Sequence, residues 1–296
     1  MIVSRRFFTW NEVVIRRWLI RHGSFLVKIV ESRGIVSEDR LWEKARLWSV
    51  VPEWPCVGIP IRGHGLMRDA ETTLDMRRGY LGYVARGGDF RARTEADDAF
   101  GVFLQWDPAV FGPARDANMI RAPIDPRSLA RVERTLNRIV TGPATSPGLE
   151  ADVAEIFGVF SSLGILSDRP LGDLVVPASP RVARVGAAID GVLSRSGVRP
   201  MVVDLMRALD CSERQARYLV NEYVGAYALQ GATEWRTLVN VWTTYLAGLL
   251  MTAKGATTEG VAGLLGYGSP NALCHALTNA GLPTPGEMRR KVRELA

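Results

Sequence analysis

The sequence predicts an α+β fold, in which a β-rich N-terminal part precedes an all-α C-terminal domain. In the first part, short β-prone runs alternate with Gly, Pro and charged turns, a spacing typical of a β-sandwich or barrel. From Val202 onward, apolar residues recur at helical spacing behind capping residues. We therefore expect two domains, 1–166 and 181–296, separated by a linker at 167–180 that contains three prolines.

The front domain is expected to begin and end with helices. Thr9 and Glu12 form a capping-box pattern that predicts a helix closing at Gly23. The predicted strands then follow at 24–31, 47–51, 56–61, 72–76, 80–86, 89–93 and 99–106. Two amphipathic helices come next, separated by a loop at 141–148, and this pair either closes the front core or pairs with a second copy.

A first helix-turn-helix pattern follows the linker. A short amphipathic helix from Val202 ends near Asp210, and Ser212 with Gln215 forms a capping box for a second helix. Apolar positions of that helix fall on one face, and its outward residues suit a DNA major groove. An isolated pattern of this kind is more often a pair of packed helices, and Tyr218 could equally be a partly buried ring. The predicted DNA-contacting residues are Ser212, Arg214, Gln215, Arg217, Tyr218 and Asn221.

A second unit repeats the pattern. Thr257 or Thr258 caps its first helix, Gly266 supplies a left-handed stop, and Ser269 followed by a proline begins the next helix. The repeat in tandem favours DNA reading over simple helix packing. The outward residues expected to contact DNA are Ser269, Asn271, His275 and Asn279. A lone histidine such as His275 could also be an ordinary solvated residue.

An apolar stretch from Trp235 to Ala253 joins the two units and contains no proline. A helix of that length could hold the two units roughly 30 Å apart at about 1.5 Å per residue. Because one turn of B-DNA is roughly 34 Å, both recognition helices could enter successive major grooves.

The second unit also contains the most specific motif of the chain. It comprises Val261-Ala262, the turn Leu265-Gly266-Tyr267, Ser269-Pro270 and a final Pro285-Gly286-Glu287-Met288-Arg289-Arg290. With the rest of 202–290, this motif resembles the DNA-binding domain of AraC/XylS-type bacterial transcription regulators.

This chain departs from that family's pattern in two places. It has Trp242, Thr243 and Thr244 where members usually carry arginines in the joining helix. It also has His275 where they carry a basic residue in the second recognition helix. These departures favour the first unit over the second as the main DNA-contacting part.

The resemblance further implies a cupin-like front domain that binds a small-molecule effector or forms a homodimer. The turns at 78–80 and 86–89 loosely resemble those of that barrel. We expect no metal and no cofactor, since only His22 and His64 occur in the front half. For any one pocket candidate, core packing or solvation is the more frequent role. The candidate effector-pocket residues are Trp48, Arg62, His64, Tyr80, Tyr83 and Arg86.

Composition sets wider bounds. The 296 residues are 47% hydrophobic and carry a formal charge of +6, which fits a globular protein with a mildly basic surface. Three dispersed cysteines, without a CxxC pair, indicate neither a disulfide framework nor a zinc ribbon. The N-terminus lacks a signal-peptide pattern, and no run reaches the length of a membrane span, so we expect a cytoplasmic protein.

These observations predict a DNA-binding transcription regulator rather than an enzyme. The resemblance implies an activator that binds promoter DNA as a homodimer and contacts RNA polymerase. One alternative is a protein-interaction module on a helix-turn-helix scaffold that does not bind DNA. A second is a cupin enzyme with a helical appendage, although its metal ligands are missing from the sequence.

Overall fold

The computed structural model describes residues 2–22, 24–36, 53–68, 72–86, 91–94, 98–112, 119–142, 148–166, 179–195, 199–227 and 234–294. Within these ranges, the residues before 126 form ten strands and one short helix, and the regular elements from residue 126 onward are all helices. The strands are β1 (Ile2–Trp10), β2 (Val13–His22), β3 (Phe25–Arg33), β4 (Cys56–Arg62), β5 (His64–Arg68), β6 (Thr73–Arg77), β7 (Tyr80–Val84), β8 (Arg91–Thr94), β9 (Asp98–Trp106) and β10 (Met119–Pro123).

The strands form two antiparallel sheets. Seven strands pair in the order β1-β2-β3-β9-β4-β7-β10, and three pair in the order β6-β5-β8. Met67 and Met76 of the small sheet contact Cys56 and Val84 of the large one in a small apolar cluster. Gly82 allows this approach, because a Cβ there would lie 2.6 Å from the Met67 methyl group. The predicted β-rich front part is confirmed, and the predicted strand at 47–51 lies outside the described residues.

The helix expected from Thr9 to Gly23 is wrong, because this stretch forms the hairpin β1–β2. Trp10 pairs with Val13, and Asn11 in the two-residue turn has φ 51°, a left-handed conformation that asparagine tolerates. Ile15 and Trp18 are both buried but belong to different apolar clusters. A strand buried on both faces therefore produced a run of apolar residues that also matched helical spacing.

Two helices cover one face of the large sheet. These two helices are α2 (Pro126–Thr141) and α3 (Leu149–Ser162), and the short helix α1 (Pro108–Phe111) precedes them. Val132 and Leu136 of α2 share a core with Val153 and Ile156 of α3 and with the strands. Of the two roles left open by the sequence, this pair therefore closes the front core.

The remaining helices form the C-terminal part. They are α4 (Pro180–Leu193), α5 (Val202–Leu209), α6 (Glu213–Tyr227), α7 (Trp235–Leu250), α8 (Thr258–Leu264), α9 (Pro270–Asn279) and α10 (Pro285–Glu294). Helix α4 was not predicted as an element, although Ser179 and Pro180 begin it and Val182, Val185 and Ile189 form its buried stripe. The predicted linker lies almost wholly in 167–178, outside the described residues.

The N-terminal hairpin lies against the C-terminal helices and shares their core. Phe8, Val13, Ile15 and Ile35 are buried in the same apolar cluster as residues of α4 to α10. The first strands of the chain therefore complete the hydrophobic core of its last third.

Candidate nucleic-acid interface

The turn of the first helix-turn-helix unit has the geometry that its residues predict. Asp210 ends α5 with φ 51°, and the Cys211 amide donates to the Met206 carbonyl at 3.1 Å. The Ser212 amide donates to Gln215 Oε1 at 2.9 Å, and the Gln215 amide donates back to Ser212 Oγ at 3.4 Å. This reciprocal capping box fixes the direction in which α6 leaves the turn.

Helix α6 has one buried and one exposed face. Ala216, Val220 and Tyr223 are buried, which holds the helix against α4 and α5. Tyr218 is 62% exposed, so its ring is available for contact rather than partly buried. The structure brings all six sequence-predicted residues of this unit to the exposed surface, namely Ser212, Arg214, Gln215, Arg217, Tyr218 and Asn221.

The two arginines on this face, Arg214 and Arg217, differ in whether they form an ion pair with a described residue. Arg217 pairs with Glu213 one turn earlier, with an Nη2–Oε1 distance of 2.7 Å. Exposed pairs of this kind contribute about 0.3 to 0.5 kcal/mol and exchange readily for another anion. Arg214 makes no ion pair within the described part of the chain. The face therefore presents two guanidinium groups to a ligand.

The second unit also folds as its residues predict. Thr257 accepts a hydrogen bond from the Gly260 amide, and Ser269 accepts one from the Ala272 amide at 3.1 Å. Gly266 has φ 71°, and a Cβ at this position would lie 2.3 Å from the Arg199 amide nitrogen. The outward residues Ser269, Asn271, His275 and Asn279 are exposed on and around α9. Because Asn271, His275 and Asn279 carry no fixed positive charge, α9 offers less attraction to phosphate than α6.

Helix α7 joins the two units but is not a free rod. Eleven of its 16 residues are buried, and at about 1.5 Å per residue it spans about 24 Å rather than the expected 30 Å. The Trp242 indole donates to the Leu193 carbonyl at 2.8 Å, and the Tyr267 hydroxyl lies 3.4 Å from Thr243 Oγ1. Thr244 is buried as well. The side chains of Trp242, Thr243 and Thr244 therefore face protein rather than solvent.

A buried polar cluster connects the sheet to α4. Asp190 of α4 accepts hydrogen bonds from Ser4 Oγ at 2.8 Å, from the Arg5 amide at 2.7 Å and from Arg6 Nε at 3.0 Å. The Arg6 side chain is 1% exposed, and its guanidinium carbon lies 5.2 Å from the centre of the Trp242 ring. Burial raises the pKa of the Asp190 carboxyl, whereas the Arg6 charge and the hydrogen bonds act in the opposite direction.

The side chain of Arg5, which lies between Ser4 and Arg6 in β1, points to the opposite face of the sheet. Arg5 donates to the carbonyl oxygens of Gly142 at 2.6 Å and Ile139 at 3.2 Å, at the end of α2. Burial lowers the pKa of the Arg5 guanidinium. Because adjacent side chains of a strand point to opposite faces, β1 binds α2 with Arg5 and α4 with Ser4 and Arg6. Sequence reasoning missed this cluster, since its partners are far apart along the chain.

The candidate effector residues have distinct surroundings. Arg62 pairs with Asp98 at 2.8 Å, His64 Nε2 lies 2.5 Å from Asp75, and Arg86 lies 3.6 Å from Glu53. Tyr83 is buried in the front core, and the Arg121 guanidinium lies 3.7 Å from the centre of the Tyr80 ring. Trp48 lies outside the described residues. Arg62 and Arg86 are thus engaged in surface ion pairs, His64 in a side-chain contact with Asp75, and Tyr83 in the core.

The described residues contain neither a metal-ligand cluster nor a membrane-spanning helix. Across the described ranges, no group of three His, Cys, Asp or Glu side chains is placed to hold a metal ion. Among the described residues, Cys56, Cys211 and Cys274 form no disulfide bond. No described helix combines the length and the apolar character needed to cross a bilayer.

The structure defines an α+β protein whose C-terminal part contains two helix-turn-helix units in tandem. No family model and no curated protein matches the sequence. Among solved structures, ToxT from Vibrio cholerae is 9% identical, covering 90% of this chain and 98% of that one at a TM-score of 0.34. The AraC-like transcriptional activator CuxR is 13% identical, covering 80% of each chain at a TM-score of 0.37.

A third similar structure matches a smaller share of the chain. Protein Ylba from E. coli is 10% identical and covers 39% of this chain and 47% of its own, at a TM-score of 0.29. Scores this low do not establish a shared fold or family.

Proposed function

We propose that this protein is a sequence-specific DNA-binding transcription regulator, and that it acts as an activator. The observation that carries the proposal is the exposed face of α6, with Arg214, Gln215 and Arg217 on a helix that is capped at its start and packed along its other side. Arginine and glutamine side chains match the hydrogen-bonding edges of guanine and adenine in the major groove.

We further propose two domains, 1–166 and 181–296, the first of which contributes Phe8, Val13, Ile15 and Ile35 to the hydrophobic core of the second. The front domain is cupin-like and binds an effector or another copy of the chain. A single mildly basic module neutralises few phosphates and binds weakly at physiological salt, which favours a homodimer. Such a regulator is cytoplasmic, and as an activator it contacts RNA polymerase. The rigid attachment of β1 to α4 supports a route by which a change in the front domain reaches α6.

Selection of bound fragments from the source genome tests DNA binding and identifies the target together. Arg214→Ala and Arg217→Ala are then compared with wild type on a selected fragment by fluorescence anisotropy. Each substitution is expected to cost about 1 to 3 kcal/mol if the contact is bidentate to a base. Arg127→Ala with Arg134→Ala in α2 is the control, because both side chains are exposed far from α6 in the sequence and the pair changes the net charge equally. Equal affinities of the double variant Arg214→Ala/Arg217→Ala and of this control would rule out α6 as the reading element.

A second candidate is a protein-docking module that does not bind DNA directly. It is favoured by the exposed face of α9, where Asn271, His275 and Asn279 carry no fixed charge, and by the burial of Trp242, Thr243 and Thr244. This function predicts no salt-dependent affinity for any duplex. Recovery of no genomic fragment, even at low ionic strength, would support it.

A further inference from the structure

A cleft of about 470 Å³ lies between α4 and α6, immediately beside the exposed face of the first recognition helix. Three arginines line it: Arg181 and Arg184 from α4, and Arg214 from α6. Tyr218 and Gln215 line it as well, and none of the described lining residues carries a carboxylate. The cleft therefore concentrates positive charge beside residues that we propose to read bases.

Helix packing places these groups in two facing rows. Val182 and Val185 of α4 are buried together with Ala216 and Val220 of α6, and exposed side chains of both helices beside this contact line the cleft. Arg181 and Arg184 are three residues apart on one helix, and Arg214 and Tyr218 are four apart on the other. Residues at these separations are neighbours on a helix surface.

The two arginines of α4 are positioned but not saturated. Arg184 Nη2 donates to the Leu209 carbonyl at 3.2 Å, which holds the side chain over the end of α5. Arg181 Nε lies 3.2 Å from Glu222 Oε2, and its guanidinium carbon lies 5.3 Å from the centre of the Tyr218 ring. A guanidinium has five N–H donors, so each of these interactions leaves donors for a further ligand.

These features fit a phosphate group. Guanidinium groups bind phosphate oxygens in a two-pronged geometry, and adjacent arginines suit a ligand that carries one full negative charge on several oxygens. A helix inserted in the major groove is bordered by sugar-phosphate backbone, and half to two-thirds of protein–DNA hydrogen bonds go to that backbone. Because backbone would border α6 on both sides in such a complex, the cleft beside α6 would face one of these two strands.

We propose that the cleft between α4 and α6 is a binding site for DNA backbone phosphate, in which Arg181 and Arg184 clamp the strand beside the recognition helix. This inference rests on the proposed function of α6. In this arrangement, α4 contributes affinity that does not depend on the DNA sequence, and Arg214, Gln215 and Arg217 of α6 discriminate between bases.

The test is the salt dependence of binding by the full-length protein. Wild type and Arg181→Gln/Arg184→Gln are titrated onto a fluorescein-labelled genomic fragment and onto a scrambled duplex between 50 and 200 mM salt. Loss of two phosphate contacts should reduce the slope of log affinity against log salt by about 1.8, at about 0.9 per phosphate. The affinity ratio between genomic and scrambled duplexes should stay unchanged, because phosphate contacts carry no base information.

Arg127→Gln/Arg134→Gln is the matched control, with the same loss of charge on α2. It should leave the slope at the wild-type value. If both double variants lower the slope equally, the effect is one of net charge and the proposal is wrong. If neither lowers it while wild type binds with a steep slope, the clamp is absent but DNA binding stands. A flat wild-type slope would overturn both the clamp and the proposed function.

Two further measurements separate the clamp from simpler explanations. Glu222→Gln removes the carboxylate that competes for Arg181, so it should tighten binding about twofold to fivefold at low salt, and weaker binding would contradict the clamp. This variant also covers the case in which Arg184→Gln unfolds the end of α5. The second measurement is the stabilisation of the protein by free inorganic phosphate. If Arg181→Gln/Arg184→Gln abolishes that stabilisation but keeps the wild-type salt slope on DNA, the cleft is a small-anion site and the proposal fails.

Discussion

Removal of the Asp190 carboxylate is expected to destabilise the whole chain, because it leaves the Arg6 guanidinium buried without its counter-ion. Asp190 accepts three hydrogen bonds from Ser4, Arg5 and Arg6, and the Arg6 side chain is only 1% exposed. Breaking a buried ion pair by deleting one partner costs about 3 to 5 kcal/mol. We expect Asp190→Ala to reduce the free energy of unfolding by that amount.

The two sides of the pair should respond unequally. After Arg6→Met the Asp190 carboxyl can take up a proton, and its pKa is already raised by burial, whereas the arginine left by Asp190→Ala stays charged. Arg6→Met should therefore reduce the free energy of unfolding less than Asp190→Ala does at neutral pH, and less still in acid. The double variant Arg6→Met/Asp190→Leu should retain mainly the cost of the unpaired Arg5 amide, about 1 to 3 kcal/mol.

Urea unfolding at pH 7 provides the assay, with tryptophan fluorescence and far-ultraviolet circular dichroism recorded on the same samples. Trp242 lies over the pair and is a native reporter of it. Asp190→Asn preserves the shape and one acceptor oxygen, so it should fall between wild type and the alanine variant. A cost below about 1 kcal/mol for Asp190→Ala would refute this reasoning. So would a cost of the double variant equal to the sum of the costs of Arg6→Met and Asp190→Leu measured singly.

Three further outcomes are expected from local geometry. Gly266→Ala should reduce stability in a thermal melt by about 2 kcal/mol or more, since Gly266 has φ 71° and the new methyl group would meet the Arg199 backbone. The control Gly268→Ala, where a Cβ meets nothing within 4 Å, should reduce stability by less than about 1 kcal/mol. Ser212→Ala should cost about 1 kcal/mol through loss of the cap of α6, and unchanged stability would show that the cap is dispensable. Hydrogen bonds from Ser128 and Arg127 lower the pKa of Asp125, so this residue stabilises the fold above its unfolded pKa of about 3.9 and that contribution is lost as pH falls through its folded pKa. Asp125→Asn should flatten the acid limb of melting temperature against pH, and an identical limb would exclude this residue as its cause.

The features that sequence reasoning predicted well are those set by near neighbours. Ser212 with Gln215, Ser269 with its following proline, and the left-handed Gly266 each depend on residues within a few positions, and all occur as expected. The exposed and buried faces of α6 were also predicted, because helical periodicity alone determines which residues share a face. The six candidate residues of the first unit were accessible to sequence reasoning for the same reason.

What was missed depends on long-range contact. The run from Val13 to Leu19 is apolar on both faces because one side meets the front core and the other meets the C-terminal helices, and this dual burial matched helical spacing. Arg6 and Asp190 are separated by 184 positions, so no local pattern signals their pairing. Helix α4 was detectable, since Ser179 and Pro180 begin an amphipathic stretch, and recognising it would have placed Arg181 and Arg184 beside the first unit.

The position of β1 also determines how this protein can be divided. At its outer edge, the backbone amides of Arg5 and Phe7 donate to Asp190 of α4 and to Ser194, which follows α4. That edge is therefore already occupied and cannot pair with a strand from another molecule. A fragment that starts at residue 181 would lack Phe8, Val13, Ile15 and Ile35 and would expose the apolar surface that they cover. Such a fragment should aggregate when produced alone, whereas co-expression with residues 2–36 should restore its solubility.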